Sequence, residues 1–194
     1  MTSFEREHKE GEPMDLSLIA IVGMPGAGKS VAADFFRSKE IPVLRFGDQV
    51  DIGLKEFHLE RNEKNERWYR EKLRKELGMV AMAIKIEPRI QEAAKTNNTI
   101  ALDGLYSWEE YVYLKQKFPE IKLLCIYAPP MVRYERLANR PVRPLTDEEA
   151  RSRDIAEIEN LNKGGPIAIA DYLIKNESTE EVFQSELATF FSTL

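Results

Sequence analysis

The sequence predicts an α/β fold in which a parallel sheet carries helices on both faces, giving three layers. Three observations lead there. Five short apolar runs, at 18–22, 41–46, 99–102, 121–127 and 171–174, alternate with stretches of helical character. The first, Leu18-Ile19-Ala20-Ile21-Val22, is unbroken and rich in branched residues, as suits a strand buried on both faces. Directly behind it stands Gly23-Met24-Pro25-Gly26-Ala27-Gly28-Lys29-Ser30, which fits Gly-x-x-x-x-Gly-Lys-Ser without a mismatch.

That loop is the centre of the reading. A helix follows it from Val31 to Lys39, with Val31, Ala32, Phe35 and Phe36 at helical spacing. Strand, glycine turn and helix together make an anion site, because successive backbone N–H groups point into one concavity at a helix's positive end. The backbone from Gly23 to Val31 is the expected cradle for nucleotide phosphates. Lys29 is expected to reach the β- and γ-phosphates, and the Ser30 hydroxyl to ligate Mg²⁺.

The remaining elements follow in order. Residues 1–15 are mostly polar and read as a flexible tail. The second strand, Ile41 to Phe46, runs into a turn at Gly47-Asp48, at the carboxyl edge where open α/β sheets bind ligands. Lys55 to Glu76 is dense in charge, with Trp68, Tyr69, Leu73 and Leu77 as one apolar edge, and reads as one or two exposed helices closed by Gly78. A helix from Met79 to Lys95 presents Val80, Ala83, Ile84, Ile90 and Ala94 inward, and Pro88 is expected to kink or restart it. The third strand enters Asp103-Gly104, and Ser107 with Glu110 makes a capping box for the next helix. The fourth strand stops at Pro129-Pro130. The helix behind it, with Tyr134, Leu137 and Ala138 as its core side, ends in Arg140-Pro141-Val142-Arg143-Pro144. Thr146 and Glu149 cap another helix, which ends near Gly164-Gly165. Strand 171–174 and a helix from Ser178 to Leu194 complete the chain.

Bulk properties limit the function classes. A chain of 194 residues is of single-domain size. A net charge of -5 argues against a general nucleic-acid binder. Cys125 is the sole cysteine and lies in an apolar run, so no intrachain disulfide is possible and a reducing cytoplasm is expected. His8 and His58 sit far apart in polar surroundings and indicate no metal site. No apolar run has the length of a membrane span, so neither membrane nor nucleic acid is an expected partner. A monomer or weak homo-oligomer is expected.

Three further groups of residues carry candidate chemistry. Asp103 ends an apolar strand, where a carboxylate can organise a magnesium shell; an ordinary Asp-Gly turn is the alternative. Arg133, Arg136 and Arg140 recur at i, i+3 and i+7 on one helix face, with Arg143 in the break and Arg151 and Arg153 beyond it. They form a hinged basic lid over a transferring phosphoryl group, or else a surface helix paired with Glu135, Asp147 or Glu148. Asp48 is a general base for a hydroxyl acceptor, a contact to the acceptor, or a turn residue.

Taken in sequence, the Gly23–Ser30 loop, Gly47-Asp48, Asp103-Gly104, the arginine run and Ala170-Asp171-Tyr172-Leu173-Ile174-Lys175-Asn176 resemble the nucleoside monophosphate kinase-like branch of the P-loop kinases. The chain is most similar to adenylate-kinase-related and dephospho-coenzyme A kinase-like proteins. The resemblance implies a P-loop NTPase fold over 16–194, with a five-stranded parallel sheet in order 2-3-1-4-5. It also implies acceptor-binding helices at about 50–96, an arginine lid at about 133–163, and ATP with Mg²⁺. By matching position, Gly23 to Ser30 hold ATP phosphates, Asp103 organises magnesium, Arg136, Arg140 and Arg143 are lid arginines, and Asn176 contacts adenine. Two departures concern the acceptor. The arginines that such proteins carry shortly after Gly-Asp and after Asp-Gly are replaced here by Gln49-Val50-Asp51 and Leu105-Tyr106. Arg67, Arg70, Arg74 and Arg89 are candidate replacements, and Tyr106 and Trp108 are candidates to pack on the acceptor.

The expected function is ATP-dependent transfer of a γ-phosphoryl group to a nucleotide-like small molecule. The alternatives are a dephospho-coenzyme A kinase, with a ribose hydroxyl as acceptor, and an ATPase or switch module that works through a protein partner. A guanine-nucleotide switch is disfavoured, since Asp103-Gly104-Leu105-Tyr106 lacks the glycine of Asp-x-x-Gly and no Asn-Lys-x-Asp occurs.

Overall fold

The computed structural model describes residues 16–194; the expected flexible tail, with His8, lies outside the described residues. The central strand β1 (Ser17–Val22) pairs in parallel with β3 (Thr99–Asp103) on one side and β4 (Lys122–Tyr127) on the other. The edge strands are β2 (Val43–Arg45), beside β3, and β5 (Tyr172–Lys175), beside β4. The sheet order is therefore β2-β3-β1-β4-β5, all parallel, as expected.

Alternation along β1 builds two cores. Leu18, Ala20 and Val22 pack with Ile100, Leu102, Leu123 and Cys125 under Ile86 and Ile90 of α4 (Ala81–Ala94) and Leu114 of α5 (Trp108–Lys117). Ile19 and Ile21 pack on the opposite face with Phe35 and Phe36 of α1 (Lys29–Ser38) and with Phe183, Leu187 and Phe190 of α9 (Glu180–Phe191). A satellite core joins Val50 and Leu54 of α2 (Asp48–Glu56) to Tyr69 and Leu73 of α3 (Glu63–Leu77). Gly53 permits that contact, since a Cβ there would lie 1.8 Å from the Tyr69 ring.

Several local expectations are corrected. The turn expected at Gly47-Asp48 falls at Phe46-Gly47, where Gln49 N–H donates to Phe46 O at 3.1 Å, and Asp48 already opens α2. Trp68 is exposed and packs edge-on against Phe57, leaving Tyr69 and Leu73 as the buried edge. Pro88 does not restart its helix. A proline deletes one backbone bond, and Ala83, Ile86 and Ile90 on either side keep α4 continuous by burial. Ile86 takes the fully buried place expected of Ile84. In α6 (Pro130–Asn139) the buried residues are Arg133 and Leu137, with Ala138 exposed. Beyond α7 (Asp147–Glu159) a short helix α8 (Gly164–Ala168), unforeseen in the sequence, precedes β5.

Among the described residues no helix is long and apolar enough to cross a membrane.

Candidate functional site

The glycine-rich loop leaves the carboxyl end of β1 and becomes α1 at Lys29, so Lys29 and Ser30 form the first helical turn. Gly28 at the N-cap has a φ of 104°, and a Cβ there would lie 2.2 Å from Asn176 Nδ2. Glycine is thus required both by the left-handed backbone and by the close approach of Asn176. Asn176 follows β5, donates to Ala27 O at 2.8 Å and accepts from Arg136 Nη2 at 3.2 Å. The last strand thereby props the loop from behind.

Lys29 donates to Gly23 O at 2.9 Å and Met24 O at 3.0 Å, turning back on its own loop. Burial, and then the Lys163 ammonium, pull its pKa down to about 7. Lys163 itself is among the largest fully buried side chains; it is ion-paired with Glu157 and lies 4.7 Å from the centre of the Tyr106 ring. Nothing in its sequence context, next to two glycines, marks it as buried.

The arginines separate into two kinds. Arg133 is buried and makes a two-pronged pair with Asp154 of α7, at 2.9 and 2.6 Å. It also donates to Pro25 O and Ala128 O, each at 3.0 Å. Its partner is none of the three acids expected from sequence. Arg136, Arg140 and Arg143 instead line cavities. Arg136 and Arg140 join Gly26, Gly28, Lys29, Ser30 and Asp103 around a space of about 390 Å³. Arg136 also lines an adjoining space of about 190 Å³ with Val31, Asn176, Ser178 and Phe183. Arg136 Nη1 is buried without a hydrogen-bond partner, an unmet donor at the junction of the two. Arg140 Nε is bonded to Arg143 O, and Arg143, with a φ of 53°, lines a third cleft.

This third cleft, of about 420 Å³, opens among α2, α3 and α7. Its walls mix apolar Phe46, Val50, Met79 and Met82 with Arg70, Arg74, Arg143 and Arg153 and with Glu66, Glu110 and Glu157. Of the candidate replacement arginines, Arg70 and Arg74 line it, whereas Arg67 pairs with Glu63 at the surface. Tyr106 lines it, and Trp108 instead packs against Tyr111 and Gly165. Burial pushes the Glu110 carboxyl up to about 7, against the two backbone N–H groups of Tyr106 and Ser107 that it accepts.

Asp103 sits at the end of β3 beside the loop, its pKa raised by burial although Arg45 and Lys29 oppose the shift. Arg45 Nε lies 3.6 Å from Asp103 Oδ2, and Arg45 Nη1 lies 3.6 Å from Asp48 Oδ1. Arg89 reaches Asp48 from α4 at 3.3 Å. Asp48 is therefore held between two guanidinium groups. Arg45 was not foreseen as a site residue; the signal was its place at the end of β2, one register position opposite Asp103.

Among the described residues no three His, Cys, Asp or Glu side chains cluster as metal ligands. What the site offers a cation is a hydroxyl and a carboxylate, Ser30 and Asp103, on the wall of the 390 Å³ space.

The two kinds of arginine separate by stability. Arg133→Ala strands a buried Asp154 carboxylate and should cost about 3–5 kcal/mol. Arg136→Ala removes a side chain whose one terminal nitrogen has no partner and should cost far less. Urea unfolding of the two variants compares them directly; equal losses would contradict the division.

Comparison with known proteins fits this architecture. The model of the family described as AAA domain matches residues 19–157. A UPF0200 protein of Pyrococcus abyssi is 34% identical over 174 residues, covering 88% of this chain and 92% of its own. Among solved structures, TT1252 from Thermus thermophilus superposes with a TM-score of 0.63 at 18% identity, covering 92% of this chain and 98% of its own. The shikimate kinase of Bacteroides thetaiotaomicron does so at 0.57 and 17% identity, with 91% and 97% covered. At such identity these likenesses speak for the fold, which is that of the P-loop kinases. The chain belongs to the UPF0200 family of AAA-domain proteins.

Proposed function

We propose that the protein is an ATP-dependent kinase that moves the γ-phosphoryl group to a nucleotide-like small molecule. The observation that carries this reading is a pair of spaces that share Gly28 and Arg136 at the glycine-rich loop, with a third cleft lined by the residues that follow β2 and β3. The smallest, between Asn176, Val31 and Phe183, suits an adenine ring, with the unmet Arg136 donor at its edge. The next, around Lys29 and Ser30, suits a polyphosphate. The third, with apolar and arginine walls, suits an acceptor that is part ring and part anion.

In this reading Lys29 leaves the loop carbonyls for the β- and γ-phosphates, and Arg136 and Arg140 face the developing charge from α6. The α6–α7 region is the lid. The Arg133–Asp154 pair fixes α7 to α6, so movement in this reading is confined to the break at residues 140–144, which carries Arg143. Magnesium would neutralise phosphate charge; the hydroxyl of Ser30 and the carboxylate of Asp103 are the oxygen donors suited to hold it. Asp48, paired with two arginines, is placed to position them rather than to deprotonate a hydroxyl. This favours a phosphate acceptor over the ribose hydroxyl of dephospho-coenzyme A.

The test is a transfer screen with labelled ATP against nucleoside monophosphates, dephospho-coenzyme A and water. Label should move to a monophosphate, and Lys29→Ala should lower that turnover by roughly 10²–10³-fold with the fold intact. Transfer to dephospho-coenzyme A would select the hydroxyl reading. Release of phosphate alone, independent of acceptor, would favour the switch or ATPase reading.

A pH dependence follows from Lys29. Its pKa is about 7 against an ordinary 10.5, so above pH 7 the free protein holds it largely neutral. Phosphate oxygens favour the ammonium, so ATP binding should take up protons between those values and weaken as pH rises through them. Calorimetry at pH 8 in buffers of differing ionisation enthalpy reads the uptake. Binding with no net proton exchange would contradict the assignment.

A further inference from the structure

The sequence lacks both arginines that its kinase resemblance leads one to expect on the acceptor side. The structure brings two others to the same edge of the sheet. Arg45 ends β2 and stands opposite Asp103 in the β2–β3 register. Its guanidinium lies between Asp103 and Asp48, 3.6 Å from an oxygen of each. Arg89 approaches Asp48 from α4 at 3.3 Å. With the Gln49 amide turned to donate to Lys85 O at 3.1 Å, its oxygen accepts from Arg89 Nη1 at 2.7 Å. Two guanidiniums and two carboxylates thus alternate along the carboxyl ends of β2 and β3. Phe46 and Gly47, directly after Arg45, line the third cleft.

The contacts made by Arg45 are loose. A full charge-assisted bond between guanidinium and carboxylate closes to about 2.7–2.9 Å and is commonly two-pronged. Arg45 spans two carboxylates and reaches that distance with neither, and its side chain is 51% exposed. Such a pair is worth little and is released at small cost. Among the described residues it is the one guanidinium in ion-pair range of Asp103. Arg70 and Arg153, by contrast, each already face a glutamate, Glu66 and Glu157.

We propose that Arg45 and Arg89 form an anion subsite for the acceptor, a phosphate monoester, and that Arg45 exchanges Asp103 for that phosphate when the acceptor binds. The inference rests on the kinase reading. It assigns the missing acceptor grip to residues outside the family's usual positions, with Asp48 and Gln49 orienting the two forks. It also links the two substrates. While the acceptor is absent, Arg45 competes with a cation for the Asp103 carboxylate. Once a phosphate takes Arg45, Asp103 is free to face the metal, so acceptor and metal bind with positive coupling.

The experiment titrates AMP, GMP, CMP and UMP, and the four corresponding nucleosides, into protein saturated with ADP. Calorimetry gives affinity, and the electron paramagnetic resonance of Mn²⁺ gives metal binding with and without each monophosphate. At least one monophosphate should bind ten times more tightly than its nucleoside. Arg45→Gln should weaken that monophosphate roughly tenfold or more and leave the nucleoside unchanged. Arg45→Lys, which keeps charge but not the fork, should fall between them. The monophosphate should tighten Mn²⁺ binding in the parent and have no effect on it in Arg45→Gln. A folded Arg45→Gln protein with parental monophosphate affinity would overturn the subsite, as would monophosphates that bind no better than nucleosides. Parental Mn²⁺ coupling in that variant would overturn the exchange. ADP binding is measured beforehand, and its absence would instead sink the kinase reading itself.

Discussion

The Arg133 guanidinium is the interaction on which the arrangement of the site depends. A charge nearly sealed from water must be neutralised and must have its donors used, or it costs several kcal/mol. Arg133 meets both demands through Asp154, Pro25 O and Ala128 O. These partners belong to three different segments: α7, the glycine-rich loop and the end of β4. Tyr134 adds a bond to the same carboxylate at 3.0 Å. One side chain thereby fixes the distance between the loop and the helix that carries Arg153 and Glu157. Its neighbours one and two turns on, Arg136 and Arg140, inherit their positions on the cavity wall from that anchor.

Around this fixed frame the remaining charges are held less firmly. Lys29 is satisfied by two carbonyls of its own loop, Arg45 is shared between two aspartates, and one nitrogen of Arg136 has no partner. Each of these cations lies where the proposed reaction needs positive charge, and each is held by contacts that a phosphate can replace. The contrast with Arg133 is physical rather than positional, because all four are basic side chains at the carboxyl edge of one sheet. Full, buried pairing marks structure, and looser pairing marks a group available to a ligand.

Much of this was legible in the sequence. The unbroken apolar run before Gly23 marked β1 as a buried strand, the resemblance to P-loop kinases implied its central place in the sheet, and the Ser107–Glu110 and Thr146–Glu149 capping boxes occur as expected. Such features depend on neighbours in the chain. What stayed hidden depends on partners far away in sequence. The i, i+3, i+7 spacing of Arg133, Arg136 and Arg140 could not reveal which arginine would meet Asp154, 21 residues beyond Arg133. Lys163 looked like part of a glycine turn because its partner Glu157 and the Tyr106 ring assemble only in the folded chain. Arg45 passed as the polar end of a strand until the β2–β3 register set it opposite Asp103. The turn after β2 was legible, but Asp48 opens α2, whose Val50 and Leu54 are buried against α3.

The central claim is that the loop, α6 and the segment after β5 form one donor-nucleotide site. A crystal structure with a non-hydrolysable ATP analogue and magnesium tests it most directly. The account predicts the triphosphate along Gly26 to Ser30 with Lys29 turned away from Gly23 O. It also predicts the adenine in the space lined by Val31, Asn176 and Phe183, beside Arg136, and the γ-phosphate directed at the cleft lined by Tyr106 and Arg143. A base lodged in that cleft, or phosphates bound with Lys29 still on its loop carbonyls, would contradict it.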